Sequence, residues 1–148
     1  MQQATENAPI HKSVRVRRKL EEAFALFTEG IDTWWPLATH SIFEERAQSV
    51  VLEGNVGGRL YERSVDGEEG LWGTVLVWEP PRRIVYSWHP GRGEETAQEV
   101  EILFTAEGDG THAEVEHRGW ERAPERRTGY DAGWEIVLAR FAAAGEER

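Results

Sequence analysis

The sequence contains no cysteine, which excludes disulfide bonds, thiolate catalysis and cysteine-based zinc sites. No apolar run approaches the roughly 20 residues of a membrane-spanning helix, and residues 1–9 show no hydrophobic stretch typical of a secretory signal. We therefore expect a cytoplasmic protein without membrane insertion. Basic residues are also scarce, with 17 Lys and Arg against 27 Asp and Glu and a net charge of −10. Because such a surface repels an anionic duplex, we expect no nucleic-acid partner.

Aromatic residues, by contrast, are plentiful. The 148 residues include seven Trp, five Phe and three Tyr, and each aromatic side chain buries about 150–250 Å² when it enters a core. A chain of this length with that much apolar surface is typical of one packed domain. We expect this domain to span residues 10–143, with flexible ends at residues 1–9 and 144–148.

Alternating apolar and polar residues predict seven strands. In Ile10–Arg18, Val14 and Val16 share one face, as in a half-buried strand. From Ala47 onwards, apolar runs are separated by clusters of Gly, Pro and Asp, which is the pattern of a hairpin meander. These runs predict six further strands, at about residues 47–53, 58–65, 70–79, 83–89, 95–107 and 110–119.

Helical periodicity appears twice. Leu20, Ala23, Phe24 and Phe27 predict a short amphipathic helix, and Ile31–Trp35 a second helical turn. A long C-terminal helix begins near Pro124 and carries one apolar stripe made of Tyr130, Trp134, Val137, Leu138 and Phe141. Such a stripe must pack on the concave face of the sheet. The predicted fold is therefore α+β, a curved seven-stranded antiparallel sheet around a long C-terminal helix, with two short helices after strand 1.

Six short motifs occur in a familiar order. They are Trp34-Trp35-Pro36, Glu53 with Gly57-Gly58, Trp72-Gly73, Glu79-Pro80-Pro81 leading to Tyr86-Ser87-Trp88, Glu116-His117-Arg118-Gly119-Trp120, and Gly133-Trp134. Together they resemble the SRPBCC or START-like superfamily, in the branch related to the activator of heat-shock protein 90 ATPase. This resemblance implies the helix-grip fold with an apolar cavity between the sheet and the long helix. Lipid carriers, hormone receptors, cyclases and chaperone activators share that scaffold, so the fold does not assign a function.

Motifs for metal or nucleophilic catalysis are lacking. His112 and His117 are separated by an odd number of positions on one predicted strand, so their side chains point to opposite faces and cannot share an ion. No serine lies in a Gly-x-Ser-x-Gly motif, and no glycine cluster matches a phosphate-binding loop. We therefore assign no catalytic residue, no metal ligand and no cofactor.

Aromatic side chains are the candidate ligand-binding residues. Core packing is the alternative role for each, but the cavity implied by the resemblance favours a pocket lining made of Trp34, Trp35, Phe43, Trp72, Tyr86, Trp88 and Trp134. Trp34 and Trp35 precede residues 36–46, which we expect to form the cavity mouth.

His117 is the polar candidate on the inward face. It continues the face of Thr111, Ala113 and Val115, so it is either a core histidine or a group that orients a ligand. We expect the hydroxyl of Tyr86 to bond to it. A separate, structural expectation is an ion pair between Glu53 and Arg59 across a hairpin.

The leading functional hypothesis is non-catalytic binding of a small hydrophobic or aromatic molecule in this cavity. One alternative is a cyclase or hydratase in which His117 and Tyr86 transfer protons. Another, from the resemblance, is an interaction module that activates a chaperone ATPase. The sequence also leaves a homodimer open as a partner state.

Overall fold

The computed structural model describes residues 7–146. Its seven strands form one sheet in the order β1-β7-β6-β5-β4-β3-β2, with every neighbouring pair antiparallel. They are β1 (Ile10–Val16), β2 (Ala47–Leu52), β3 (Arg59–Ser64), β4 (Glu69–Glu79), β5 (Arg83–Trp88), β6 (Gln98–Glu107) and β7 (Gly110–Arg118). The predicted strands are confirmed, except that β6 begins at Gln98 because Glu94–Thr96 form a 3₁₀ turn.

Two α-helices accompany the sheet, α1 (Leu20–Thr28) and α2 (Arg127–Glu146). The predicted second helical turn is the 3₁₀ helix Ile31–Thr33, which ends before Trp34. Further 3₁₀ turns are Glu44–Arg46, Trp120–Arg122 and Pro124–Arg126. Within residues 7–146, no helix is both long enough and apolar enough to cross a membrane.

The predicted flexible ends lie partly outside the described residues. Residues 1–6 and 147–148 fall outside them, whereas α2 continues to Glu146 and so includes residues 144–146. Flexibility of either end stays a prediction.

Helix α2 packs into the core through the predicted stripe. Trp134, Val137, Leu138 and Phe141 are all at most 3% exposed, and they join one cluster with the inward side chains of α1 and the sheet. Tyr130, one turn before Trp134, is only half-buried. The predicted packing of the C-terminal helix against the sheet is therefore confirmed, and Tyr130 lies at the more exposed, N-terminal end of the apolar stripe.

Gly73 lets strands β4 and β5 approach closely beside two tryptophans. A β-carbon at Gly73 would overlap the carbonyl oxygen of Ser87, so only glycine fits without a backbone shift. The backbone N–H of His89 donates to the carbonyl of Trp72 at 2.6 Å in the same region. This approach holds the rings of Trp72 and Trp88 5.4 Å apart, centroid to centroid.

The expected ion pair across the β2–β3 hairpin is present. Arg59 Nη2 lies 3.4 Å from Glu53 Oε2, and the Arg59 backbone N–H donates to Glu53 Oε1 at 2.8 Å. Both side chains are partly exposed, so the pair contributes little to stability and mainly shapes the hairpin.

Candidate functional site

A pocket of about 580 Å³ opens between the sheet and the first half of α2. Strands β4 and β5 form one side of the pocket and α2 forms the other. The segment after Trp35 borders the opening and forms the mouth of the pocket. Its volume lies within the roughly 300–1,000 Å³ of small-molecule sites. The pocket is therefore located where the resemblance implied a cavity.

Five aromatic side chains form the pocket wall, namely Trp35, Trp72, Trp88, Tyr130 and Trp134. These rings contact one another, with distances between ring centroids of 5.1 Å for Trp35–Trp72, 6.0 Å for Trp88–Tyr130 and 6.3 Å for Trp35–Trp134. Tilted and edge-on contacts of this kind stabilise the four buried tryptophan rings against one another, whereas Tyr130 is only half-buried. The resulting surface is apolar, which suits a flat apolar ligand.

Trp88 differs from the other buried tryptophans in its hydrogen bonding. Five of them donate their indole N–H to an acceptor of the chain at 2.6–2.9 Å, namely Trp34, Trp35, Trp72, Trp120 and Trp134. Trp88 is only 4% exposed, yet its Nε1 has no hydrogen-bond partner among residues 7–146. Buried polar groups are nearly always paired, so this donor is an exception that calls for an explanation.

Glu62 anchors the mouth of the pocket to the sheet. Its buried carboxylate accepts hydrogen bonds from the backbone N–H groups of Ile42 and Phe43, at 2.6 and 2.9 Å. It also accepts one from Trp72 Nε1 at 2.6 Å. One side chain of β3 therefore fixes both the mouth segment and a wall of the pocket. We did not predict this residue as part of the site, although its alternation with Leu60 places it on the inward face.

His40 lies on the mouth segment, facing α2. Its Nδ1 is 2.7 Å from the hydroxyl of Thr39, and its ring lies about 3.8 Å from where a β-carbon on Gly133 would stand. Partial burial lowers the pKa of His40 below its usual 6.5, so the imidazole is neutral at pH 7. We did not predict His40 as part of the site, because nothing in the neighbouring sequence shows that α2 passes beside it.

Charged groups occur only at the rim of the pocket lining. Arg92 Nη1 lies 3.2 Å from Glu125 Oε2, which bridges the segment after β5 and the turn before α2. Arg126 lines the same rim. The rim of the pocket thus carries two positive charges and one negative charge, although the chain as a whole is acidic.

His117 is buried below the pocket in a hydrogen-bonded chain. Trp134 Nε1 donates to His117 Nδ1 at 2.9 Å, so the ring must be the tautomer with its proton on Nε2. That proton is donated to Gln98 Oε1 at 3.1 Å, and the Gln98 amide donates to the Thr96 carbonyl at 2.5 Å. Burial lowers the pKa of His117 to about 3. The inward orientation is as predicted, but both ring nitrogens are already engaged within the chain.

The expected bond between Tyr86 and His117 is wrong. The Tyr86 hydroxyl is buried and has no hydrogen-bond partner among the described residues. His117 instead bonds to Trp134 and Gln98, which fill both of its nitrogens. Burial raises the pKa of Tyr86, so its hydroxyl stays protonated.

The predicted ligand-binding residues separate into two groups. Trp35, Trp72, Trp88 and Trp134 line the pocket. The other four predicted residues lie outside its lining, namely Trp34, Phe43, Tyr86 and His117. Trp34 is 1% exposed and packs on Phe141 in the core, whereas Phe43 packs beside Gly70.

Among residues 7–146, no three His, Asp or Glu side chains are grouped so that they could hold an ion. Four residues that matter to the site were not predicted as part of it: Tyr130 and His40 line the pocket, and Glu62 and Gln98 support it.

Several solved structures are similar to this chain. The chain is 31% identical to an anthrahydroquino-gamma-pyrone synthase, Txn09, over 93% of this chain and 97% of that one, with a TM-score of 0.64. It is 27% identical to CalC, a self-sacrificing resistance protein from Micromonospora echinospora, over 95% and 96% of the two chains, with a TM-score of 0.67. The Aha1 dimer from Colwellia psychrerythraea is 14% identical over 95% and 99%, with a TM-score of 0.71, which shows the fold alone.

Comparison with curated protein sequences gave no match. The family described as "Activator of Hsp90 ATPase homolog 1-like protein", however, matches residues 17–146, nearly the whole chain. The motif order, the helix-grip fold and this match agree, and the chain belongs to the Activator of Hsp90 ATPase homolog 1-like family.

Proposed function

We propose that this chain binds a planar aromatic molecule in the pocket between β4, β5 and α2. The observation that carries the proposal is the wall of five aromatic rings around a space of about 580 Å³. Flat rings stack or pack edge-on against such walls and gain contact area with little loss of conformational freedom. A flexible fatty acid would gain less there, because its chain must be ordered on binding.

One relative above 25% identity supports an aromatic ligand, since it is named as an anthrahydroquino-gamma-pyrone synthase. Two observations on the pocket support the non-catalytic form of the proposal. His117 has both ring nitrogens engaged within the chain, and Tyr86 lies outside the lining. These two residues are therefore poor candidates for proton transfer to a ligand in the pocket.

Catalysis is a second candidate, favoured by the 31% identity to the synthase. In this chain, His40 is the group placed to transfer a proton, because it lines the pocket and its lowered pKa keeps it neutral. A binding protein returns an aromatic polyketide unchanged, whereas a cyclase returns a product with a different chromatographic retention time and absorption spectrum. If turnover occurs, His40→Ala should abolish it without weakening substrate binding.

The chaperone alternative rests on the family description alone. A homodimer and a cytoplasmic location likewise stay predictions. Pull-down of the chaperone with the purified chain tests the chaperone interaction, and sedimentation velocity tests the homodimer.

The experiment that tests the binding proposal fills the pocket from the helix side. Gly133 lines the pocket, and a β-carbon there meets only the His40 ring, at 3.8 Å. Gly133→Leu should fold, since leucine favours a helix more than glycine does, while its side chain occupies ligand space. The matched control is Ala139→Leu, on the exposed face of α2.

The probe is anthracene-2-sulfonate, and its binding is measured by the quenching of tryptophan fluorescence. We expect the wild type and Ala139→Leu to bind it alike, and Gly133→Leu to bind at least about tenfold more weakly, as expected when a side chain occupies the ligand space. Equal binding by all three would show that the probe occupies another surface, and the proposal would fail. Dodecanoate should bind the wild type more weakly than the aromatic probe.

A further inference from the structure

The unpaired indole of Trp88 is an unexplained feature of the pocket. Its Nε1 can only donate, and no residue of the described chain accepts from it. Every other buried tryptophan of the described chain has an acceptor. Leaving one buried donor unpaired is unfavourable for folding, so such a group in a ligand pocket points to an acceptor supplied by the ligand.

Trp88 is also placed to meet a ligand. Its ring lines the pocket from the sheet side, and its centroid lies 5.4 Å from that of Trp72 and 6.5 Å from that of Trp134. A flat ligand in the pocket therefore contacts this ring.

The Nε1 atom has no exposed surface in this conformation, so one neighbouring ring must shift before an acceptor reaches it. Tyr130 is the least buried of the rings in contact with Trp88, at 6.0 Å between centroids. It lies on α2 and lines the pocket, so it is the neighbouring ring with the most accessible surface.

A second unpaired group lies on the same strand face. Tyr86 precedes Trp88 by two positions, its ring centroid is 6.0 Å away, and its hydroxyl lacks a partner among residues 7–146. These two unpaired polar groups, the Tyr86 hydroxyl and the Trp88 indole N–H, lie on neighbouring inward positions of β5, where the rest of the pocket wall is aromatic. The oxygen of a ligand that enters there can satisfy at least the indole donor.

We propose that Trp88 is the specificity-determining donor of the pocket, and that its indole N–H binds a carbonyl oxygen carried by the planar aromatic ligand. This inference rests on the proposed function and narrows its ligand class to aromatic ketones and quinones. An aromatic hydrocarbon of equal shape fills the same walls but leaves the indole unpaired.

The test compares two probes that differ in this acceptor. Anthraquinone-2-sulfonate carries two ring carbonyls, and anthracene-2-sulfonate carries none, while both have the same anionic group. The wild type should bind the quinone roughly tenfold more tightly, the ratio expected for one hydrogen bond to a buried donor. Trp88→Phe keeps an aromatic wall, removes the donor and should reduce that ratio to about one.

Trp120→Phe is the matched control. Trp120 is a buried tryptophan outside the pocket lining, whose Nε1 donates to the His117 carbonyl at 2.8 Å. This variant loses an indole donor without touching the ligand, so the preference for the quinone should persist.

A second measurement needs no variant. The Trp88 indole N–H signal, assigned through its proximity to the Tyr86 ring, should move downfield when wild-type protein is saturated with the quinone. It should move much less with anthracene-2-sulfonate. If the indole signal responds equally to both probes, Trp88 does not donate to the carbonyl.

The outcomes separate the two proposals. Equal affinity of wild-type protein for both probes, or a quinone preference that survives Trp88→Phe, overturns the role of Trp88 and leaves aromatic binding standing. Failure of both probes to bind overturns the proposed function and this inference together.

Discussion

Trp134 donates its indole N–H to Nδ1 of His117 at 2.9 Å, and this bond joins α2 to β7 at the floor of the pocket. Both residues are buried, at 2% and 0% exposure. The bond sets the tautomer of His117, which in turn directs its Nε2–H to Gln98 on β6. Helix and sheet are thus held together by a polar chain as well as by apolar packing.

Trp134→Phe should therefore destabilise the fold even though an aromatic ring remains. The substitution leaves His117 Nδ1 without a donor in the core, which costs about 1–3 kcal/mol. Trp134→Ala should cost more, about 3–5 kcal/mol, because it also leaves a cavity. Urea unfolding measures both. Trp78→Phe, at a half-buried position, is the control and should cost less than either; a Trp134→Phe protein as stable as wild type would contradict the role of this bond.

Acid should destabilise the protein through His117. Its pKa is lowered from 6.5 to about 3 by burial, so as the pH falls below 6.5 the unfolded chain takes up the proton before the folded one does. Stability is therefore complete above pH 6.5 and is lost as the pH falls from there towards 3. By linkage the loss between pH 7.5 and pH 5 is about 2 kcal/mol.

The measurement is the free energy of unfolding at pH 7.5 and pH 5 for wild type and His117→Gln. Glutamine does not titrate, so the difference between the two pH values should shrink by about 2 kcal/mol in the variant. The exposed His11 serves as control, and His11→Gln should retain the wild-type acid sensitivity. The same pH response in wild type and His117→Gln would mean that other groups cause it.

The sequence predicted the backbone framework of this site well, for a physical reason. Strand alternation is local, so Thr111, Ala113 and Val115 correctly indicated that His117 points inward. The spacing of Trp134 and Phe141 likewise indicated the buried stripe of α2. Both inferences need only the two periodicities of strand and helix.

Hydrogen-bond partners could not be predicted in the same way, because they come from distant elements. Tyr86 shares the inward face with His117, yet Gln98 and Trp134 take both nitrogens of that ring. Glu62 was missed although Leu60 marks its face as inward. A buried carboxylate on a strand is unexpected until its three N–H donors are seen together.

Removing the charge of Glu62 should loosen the mouth of the pocket. Glu62→Gln keeps the size of the side chain but replaces one acceptor oxygen with an NH₂ group, which faces the N–H donors of Ile42, Phe43 or Trp72. We expect a loss of about 1–3 kcal/mol in unfolding free energy. Amide hydrogen exchange should also become faster at residues 42 and 43.

Glu114→Gln is the control, because Glu114 is also a glutamate on a strand but lies on the exposed face of β7. It should leave both stability and exchange at residues 42 and 43 unchanged. If exchange there is equally slow in Glu62→Gln, the mouth segment is held by other contacts.

Glu125 should control how fast anionic ligands enter. Its carboxylate pairs with Arg92 at 3.2 Å on the rim of the pocket, beside Arg126. Glu125→Gln leaves both guanidinium groups to attract an incoming anion, and a change in rim charge acts mainly on the association rate. Stopped-flow fluorescence should therefore show faster association of anthracene-2-sulfonate with Glu125→Gln than with wild type at 20 mM salt. The difference should nearly vanish at 1 M salt, where screening reduces the Debye length to about 3 Å.

Glu29→Gln, an exposed change of equal charge at the end of α1, separates a local effect from one of net charge. If Glu29→Gln accelerates association as much as Glu125→Gln does, the reduced negative charge of the whole chain is responsible, and the rim ion pair has no particular part in ligand entry.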